Sequence, residues 1–141
     1  MFGSFNKPIA AYRDVSVNSA IATADPHQLI ALLFDGAQAA ISIAKGAMAQ
    51  NKIAEKGNAI SKAIDIIDNG LKASLNLEKG EDIAERLYAL YDYMCERLMY
   101  ANLKNSEETL DEVSRLLGEI QSAWAEIRPQ VVSGLSGTPQ K

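Results

Sequence analysis

The segment Leu87-Tyr88-Ala89-Leu90-Tyr91-Asp92-Tyr93-Met94, running on through Cys95 to Ala101-Asn102, decides the fold. On a wheel that advances about 100° per residue, Ile83, Leu87, Leu90, Met94, Leu98 and Ala101 align as one apolar stripe. Ala84, Tyr88, Tyr91, Cys95 and Met99 form a second stripe beside it. Together the two stripes cover about half of a helix, leaving Glu85, Arg86, Asp92, Glu96 and Arg97 to water. Four of the five tyrosines fall between Tyr88 and Tyr100, so the apolar face has an aromatic rim. A face this wide predicts a helix that meets core, partner, or both.

Three further segments carry the same period. Asp25-Pro26 opens one, because Asp25 can accept hydrogen bonds from the first free amides, Pro26 suits the first turn, and Gln28 completes a capping box. This helix is expected to run to about Ala49. The next starts near Ile53, weakened by Gly57-Asn58, carries Ile60, Ile64, Ile67, Leu71 and Leu75, and is expected to end before Gly80. The tyrosine-rich helix then begins near Glu81. After the break Asn105-Ser106, the last helix has Ser106 as N-cap, an acidic first turn in Glu107 and Glu108, and the stripe Leu110, Val113, Leu117, Ile120, Trp124, Ile127 before Pro129. Beyond Val15-Ser16-Val17 there is no β-alternation. Isolated helices of this length are marginal in water, so the stripes must bury one another. Short breaks make sequential helices antiparallel. The expected fold is all-α: an antiparallel up-down four-helix bundle over residues 25–129, with a mobile N-terminal arm (1–24) and a flexible C-terminal tail (130–141).

At 141 residues the chain is long enough to bury a core without disulfide or metal. Its single cysteine, Cys95, reads as a small, buried hydrophobe in a reducing compartment. Met1 to Ala10 lack the basic patch and apolar run of a secretion signal, and no stretch is expected to approach the roughly 20 apolar residues of a membrane span. The expected location is the cytoplasm. With 14 basic and 18 acidic residues, a net charge of −4 and no basic cluster, neither nucleic acid nor an acidic lipid surface is an expected partner.

Catalysis has little to stand on. Di-iron sites in bundles need paired Glu-x-x-His motifs, whereas the chain has only His27, expected as a partly exposed polar residue in a first helical turn. One His and one Cys make no zinc site, and no nucleophile elbow, P-loop or dinucleotide fingerprint occurs. We expect no enzyme, no cofactor and no metal. The surplus lies in apolar helix surface. The first helix has an apolar arc of about 220° centred on a small-residue seam of Gly36, Ala37, Ala40, Ala44 and Ala47, with bulkier lobes on both sides. One lobe fills the core. The other, expected to be that of Ile30, Phe34 and Ile41, is left for a neighbouring helix, the arm, or an external amphipathic helix.

An ordered set of short stretches resembles the FliS-type flagellar secretion chaperones. They are Tyr12 with Val15 and Val17; Ala24-Asp25-Pro26-His27-Gln28-Leu29-Ile30 leading to Leu33-Phe34-Asp35-Gly36-Ala37; Lys62-Ala63-Ile64-Asp65-Ile66-Ile67; Ala73-Ser74-Leu75-Asn76; the tyrosine segment with Ala101-Asn102; and Ala123-Trp124. The chain departs from the family at Phe34, where tyrosine is common, and at Gly80-Glu81, where Gly-Gly is frequent. The resemblance implies a cytoplasmic bundle whose grooves take the helical C-terminal segment of flagellin, preventing premature polymerisation and keeping it exportable. It also implies contacts with the flagellar export gate and flagellar regulators. The expected partner-binding residues are then Ile30, Phe34, Ile41, Tyr88, Tyr91 and Cys95, with Tyr12, Val15 and Val17 as an N-terminal lid. Trp124 borders that surface or, more in keeping with its place near the helix end, packs in the core. The rival reading is a scaffolding bundle that uses the same stripes to associate with itself.

Overall fold

The computed structural model describes residues 25–77 and 81–127. The expected arm, the lid residues Tyr12, Val15 and Val17, and the expected tail lie outside the described residues. Helix α1 is Pro26–Ala49, and its start is the expected capping box. The Asp25 carboxylate accepts from the Gln28 N–H at 2.8 Å while Gln28 Oε1 accepts from the Asp25 N–H at 3.3 Å. Asn51, with φ 59°, turns the chain in the left-handed region that asparagine tolerates, and the Lys52 N–H closes the turn on the Ala47 carbonyl at 2.8 Å.

Helix α2 is Ile53–Asp65 and continues as a π-helical segment, Ile66–Lys72. The helix therefore ends sooner than its apolar spacing predicts, leaving Leu75 in the connection. Wider turns let this segment seat Ile66, Ile67, Gly70 and Leu71 in the core together. Gly70 lets the segment pack closely on α1: a Cβ there would lie 3.2 Å from both Leu33 methyls.

Helix α3 is Glu81–Lys104. Asn105, with φ 52°, ends it, and the Ser106 N–H reaches back to the Ala101 carbonyl at 3.0 Å, a six-to-one closure of the helix end. Lys56, buried on α2, donates to the carbonyl of Asn102 at 3.0 Å and to Asn105 Oδ1 at 2.5 Å. Its charge thus sits at the negative end of the α3 dipole. Helix α4 is Glu107–Glu126, N-capped as expected by Ser106, whose hydroxyl accepts from the Thr109 N–H at 3.2 Å.

Helix α1 packs on α2 with its π-helical extension and on α4, and α3 packs on those same elements from the other side. The result is the expected all-α bundle, closed as a ring of four. Its core gathers Leu33, Phe34 and Ile41 with Ile60, Ile67, Leu71, Met94, Leu98, Leu110, Val113 and Leu117. One expectation is corrected: α1 is long and apolar enough to cross a bilayer by length and composition. Between Leu29 and Ala49 only Asp35 and Lys45 carry charge. Part of that apolarity is used inside the bundle, where Leu33, Phe34, Ala37, Ala40, Ile41 and Ala44 are buried.

Candidate binding groove

Along the outer shoulders of α1 and α2 runs an open groove of about 590 Å³. Leu33 and Ala40 from α1 form its floor with Ala59 from α2 and Ile66 from the π-helical segment; Leu29, Leu32, Ala39 and Ile43 form its walls. Asp35, Glu55, Asn58 and Lys62 supply a mixed-charge rim. The depression exists because the small residues Gly36, Ala39, Ala40 and Ala59 line up where bulky side chains would fill it. At Gly36 the helices are already close, since a Cβ there would meet Ile66 Cδ1 at 3.3 Å. Ile43 remains 60% exposed on the wall. Apolar lining with a few rim charges is the character of a binding cleft, and its elongated course between two helices suits an amphipathic helix.

The sequence-predicted residues are not assembled into this groove. Phe34 and Ile41, each 1% exposed, are core residues, and Tyr91 is 3% exposed. Ile30 is half-buried against the same core. The two lobes of α1 are therefore exchanged relative to expectation: the Phe34 lobe faces inward and the Leu29–Leu32–Ile43 lobe faces out. Phe34, Ile41 and Met48 repeat every seven residues without a gap, whereas the other lobe is broken by Gly36, Ala39 and Gly46 and lacks the bulk to fill a core. Tyr88 and Cys95 lie toward the α3 side of the α2 extension. Lys72 Nζ stands 4.7 Å from the Tyr88 ring centroid, and Cys95 Sγ is 3.9 Å from the Ile64 carbonyl oxygen. Hydrogen bonds that the Lys72 ammonium donates to Asp68, then to Asp92, hold it above its ordinary pKa. Burial pushes the Cys95 thiol up to about 11, so it stays protonated and unreactive at neutral pH.

The opposite seam, between α1 and α4, is bridged by polar side chains. The Gln38 carboxamide donates to the Ser114 carbonyl at 3.0 Å and accepts from the Ser114 hydroxyl at 2.8 Å, and Gln121 donates to Asp35 Oδ1 at 2.8 Å. His27 is buried, not partly exposed as its place in a first turn suggested. Its ring stacks on Trp124 with centroids 4.6 Å apart, Nε2 is 2.6 Å from the Trp124 carbonyl, and the indole N–H donates to the His27 carbonyl at 3.0 Å. Trp124 thus clasps the start of α1 to the end of α4. Among the described residues no group of three or more His, Cys, Asp or Glu side chains is placed to hold a metal ion.

Comparison with known proteins gives this architecture a context. The family described as flagellar protein FliS matches residues 8–131. The flagellar secretion chaperone FliS of Salmonella typhimurium is 52% identical over 122 residues, 86% of this chain and 90% of that protein. FliSB of Pseudomonas aeruginosa is 44% identical over 84% of this chain and 93% of its own length. The Bacillus subtilis FliS is 31% identical over 86% of each chain. These relatives are named for chaperoning flagellar secretion, not for catalysis. With the match spanning the whole described bundle, the chain belongs to the FliS family of flagellar secretion chaperones.

Proposed function

We propose that the α1–α2 groove holds an amphipathic helix from the C-terminal segment of flagellin, in the cytoplasm, before export. Covering the apolar face of that segment prevents premature polymerisation and keeps the subunit competent for the flagellar secretion apparatus. The observation that carries this reading is the outward lobe of Leu29, Leu32 and Ile43, an apolar wall beside a small-residue trough that none of the four helices covers. Phe34, Ile41 and Tyr91 serve the site from beneath by fixing the helices that bear it. Tyr88 and Cys95, on the other shoulder of the α2 extension, offer a second strip for the continuing client chain. Tyr12, Val15 and Val17 are the chain's own candidates for the groove when no client is present.

Calorimetric titration with a flagellin C-terminal peptide tests the assignment. Burying an isoleucine side chain is worth about 1.5–3 kcal/mol, so Ile43→Asp should weaken binding at least about tenfold. Because Ile43 is largely exposed, helicity and melting temperature should stay at the wild-type level. Leu103→Asp, 79% exposed near the end of α3, should bind the peptide as wild type does. Equal affinity of wild type and Ile43→Asp would remove the groove from the mechanism.

A further inference from the structure

A second depression, about 360 Å³, lies over the α1–α4 seam, and Asp35 lines both it and the α1–α2 groove. Asp35 is thus the ridge between them. We propose that this second depression is a subsite for a basic side chain, arginine or lysine, of the polypeptide docked in the groove; the inference rests on the groove reading above.

The lining sets the sign of the charge it takes. Asp35 is the one acidic residue facing the depression, and no lysine or arginine lines it. On the facing helix α4 four of the carboxylates are in ion pairs: Glu107 and Asp111 share Lys45, Glu112 pairs with Arg97, and Glu119 with Arg115. Asp35 makes one hydrogen bond, from the Gln121 amide to Oδ1, and no ion pair among the described residues. Nearby carbonyl acceptors are partly committed, since Gln28 Oε1 takes the Asp25 N–H and Gln121 Oε1 lies 3.5 Å from the Gln38 amide. Asp35 Oδ2 is the strong acceptor left.

The second feature is aromatic. Trp124, half-buried, lines the same depression, and its N–H is committed to the His27 carbonyl. With one face stacked on His27, the indole has its other face and its edge to offer. Gln121 and Trp124 are three residues apart on α4, hence neighbours about one turn, or roughly 5 Å, along the helix. A carboxylate held by Gln121, in the same depression as an indole one turn further along α4, is a pairing that favours a cation, and a guanidinium most, because it can donate to the carboxylate while lying flat on the ring. A helix lying in the groove need only extend one long basic side chain over the Asp35 ridge, its methylenes running along Ala31 and Leu32, to place its charge there.

Trp124 is the chain's only tryptophan, so its emission reports on this depression alone. The experiment titrates the full chain and its Asp35→Asn variant, which retains an acceptor for Gln121, with a flagellin C-terminal peptide and with peptides in which each Lys or Arg is replaced singly by Gln. Binding is followed in parallel by calorimetry and by Trp124 fluorescence. The wild-type peptide should change Trp124 emission, and Asp35→Asn should weaken it about fivefold, the size of a half-exposed ion pair with a ring contact. One basic replacement in the peptide should cost the same factor against wild type and nothing further against Asp35→Asn. Unaltered affinity for Asp35→Asn, with Trp124 emission silent while calorimetry still shows binding, would overturn the subsite and leave the groove standing. Absence of calorimetric binding to the wild-type chain would overturn both. A change in Trp124 emission caused by Asp35→Asn without peptide, at unchanged peptide affinity, would show that the ridge serves the chain's own packing and would also overturn the proposal.

Discussion

Tyr91 shows what burial does to a residue whose type suggests a binding surface. It is 3% exposed, and its hydroxyl has no hydrogen-bond partner among the described residues, so burial pushes its pKa up to about 12. The neutral form is the one the fold favours. Stability from this group is therefore complete below the unfolded value near 10 and is lost as pH rises through about 12. Cys95, pushed by burial above its ordinary value to about 11, adds a loss of the same sign slightly earlier. Tyr91→Phe should leave urea stability at pH 7 within about 1 kcal/mol of wild type, since an unpartnered hydroxyl is removed. Between pH 10 and 12 it should flatten the alkaline decline by on the order of 2–3 kcal/mol. Urea midpoints at pH 8, 10 and 11.5 check this, and a variant that falls as steeply as wild type would place Tyr91 in water. Neither this burial nor that of His27 was readable from sequence, because both depend on contacts across the bundle. The caps at Asp25 and Ser106 were readable, because each is completed within four residues.

At the scale of the helix, the sequence showed that α1 has two apolar lobes around a small-residue seam, but did not say which lobe turns inward. The wheel shows two apolar lobes without ranking them, and only the cyclic arrangement of helices chooses between them. A signal was present in the unbroken seven-residue repeat Phe34, Ile41, Met48 against its interrupted counterpart. The π-helical segment was hidden for a related reason: three-and-four spacing through Ile64, Ile67, Leu71 and Leu75 fits an α-helix equally well, while the close approach of Gly70 to Leu33 belongs to the tertiary structure. The seam separates stability from function at Gly36. Alanine is the better helix former by about 1 kcal/mol, and the group its Cβ would meet at 3.3 Å is the movable end of Ile66. Gly36→Ala should therefore keep or slightly raise the melting temperature while making the groove shallower, weakening flagellin-peptide binding several-fold. Loss of both stability and affinity would mean that Ile66 cannot yield and that the seam is packed for the fold alone.

For the whole molecule, the two sides of α1 divide the work. The α4 side is tied by the His27–Trp124 clasp and the Gln38–Ser114–Gln121–Asp35 ladder, whereas the α2 side combines tight helix contact with an open outer trough. A client helix laid in that trough adds a layer outside the ring of four and needs no helix to leave it. Binding should then act on stability by mass action on the native state alone. At free peptide about 100 times its dissociation constant, the gain is about 2.7 kcal/mol. For a bundle of this size that corresponds to a rise in melting temperature on the order of 10 °C. The rise should follow peptide concentration and vanish in Ile43→Asp, while the melting temperature without peptide should not depend on protein concentration. A self-associating scaffold predicts the reverse pattern: stability that climbs with the concentration of the chain itself, that Ile43→Asp abolishes, and that flagellin peptide does not extend. Thermal melts over a hundredfold range of protein concentration, with and without peptide, separate the two, because the same apolar lobe cannot serve a second copy of the chain and a client helix at once.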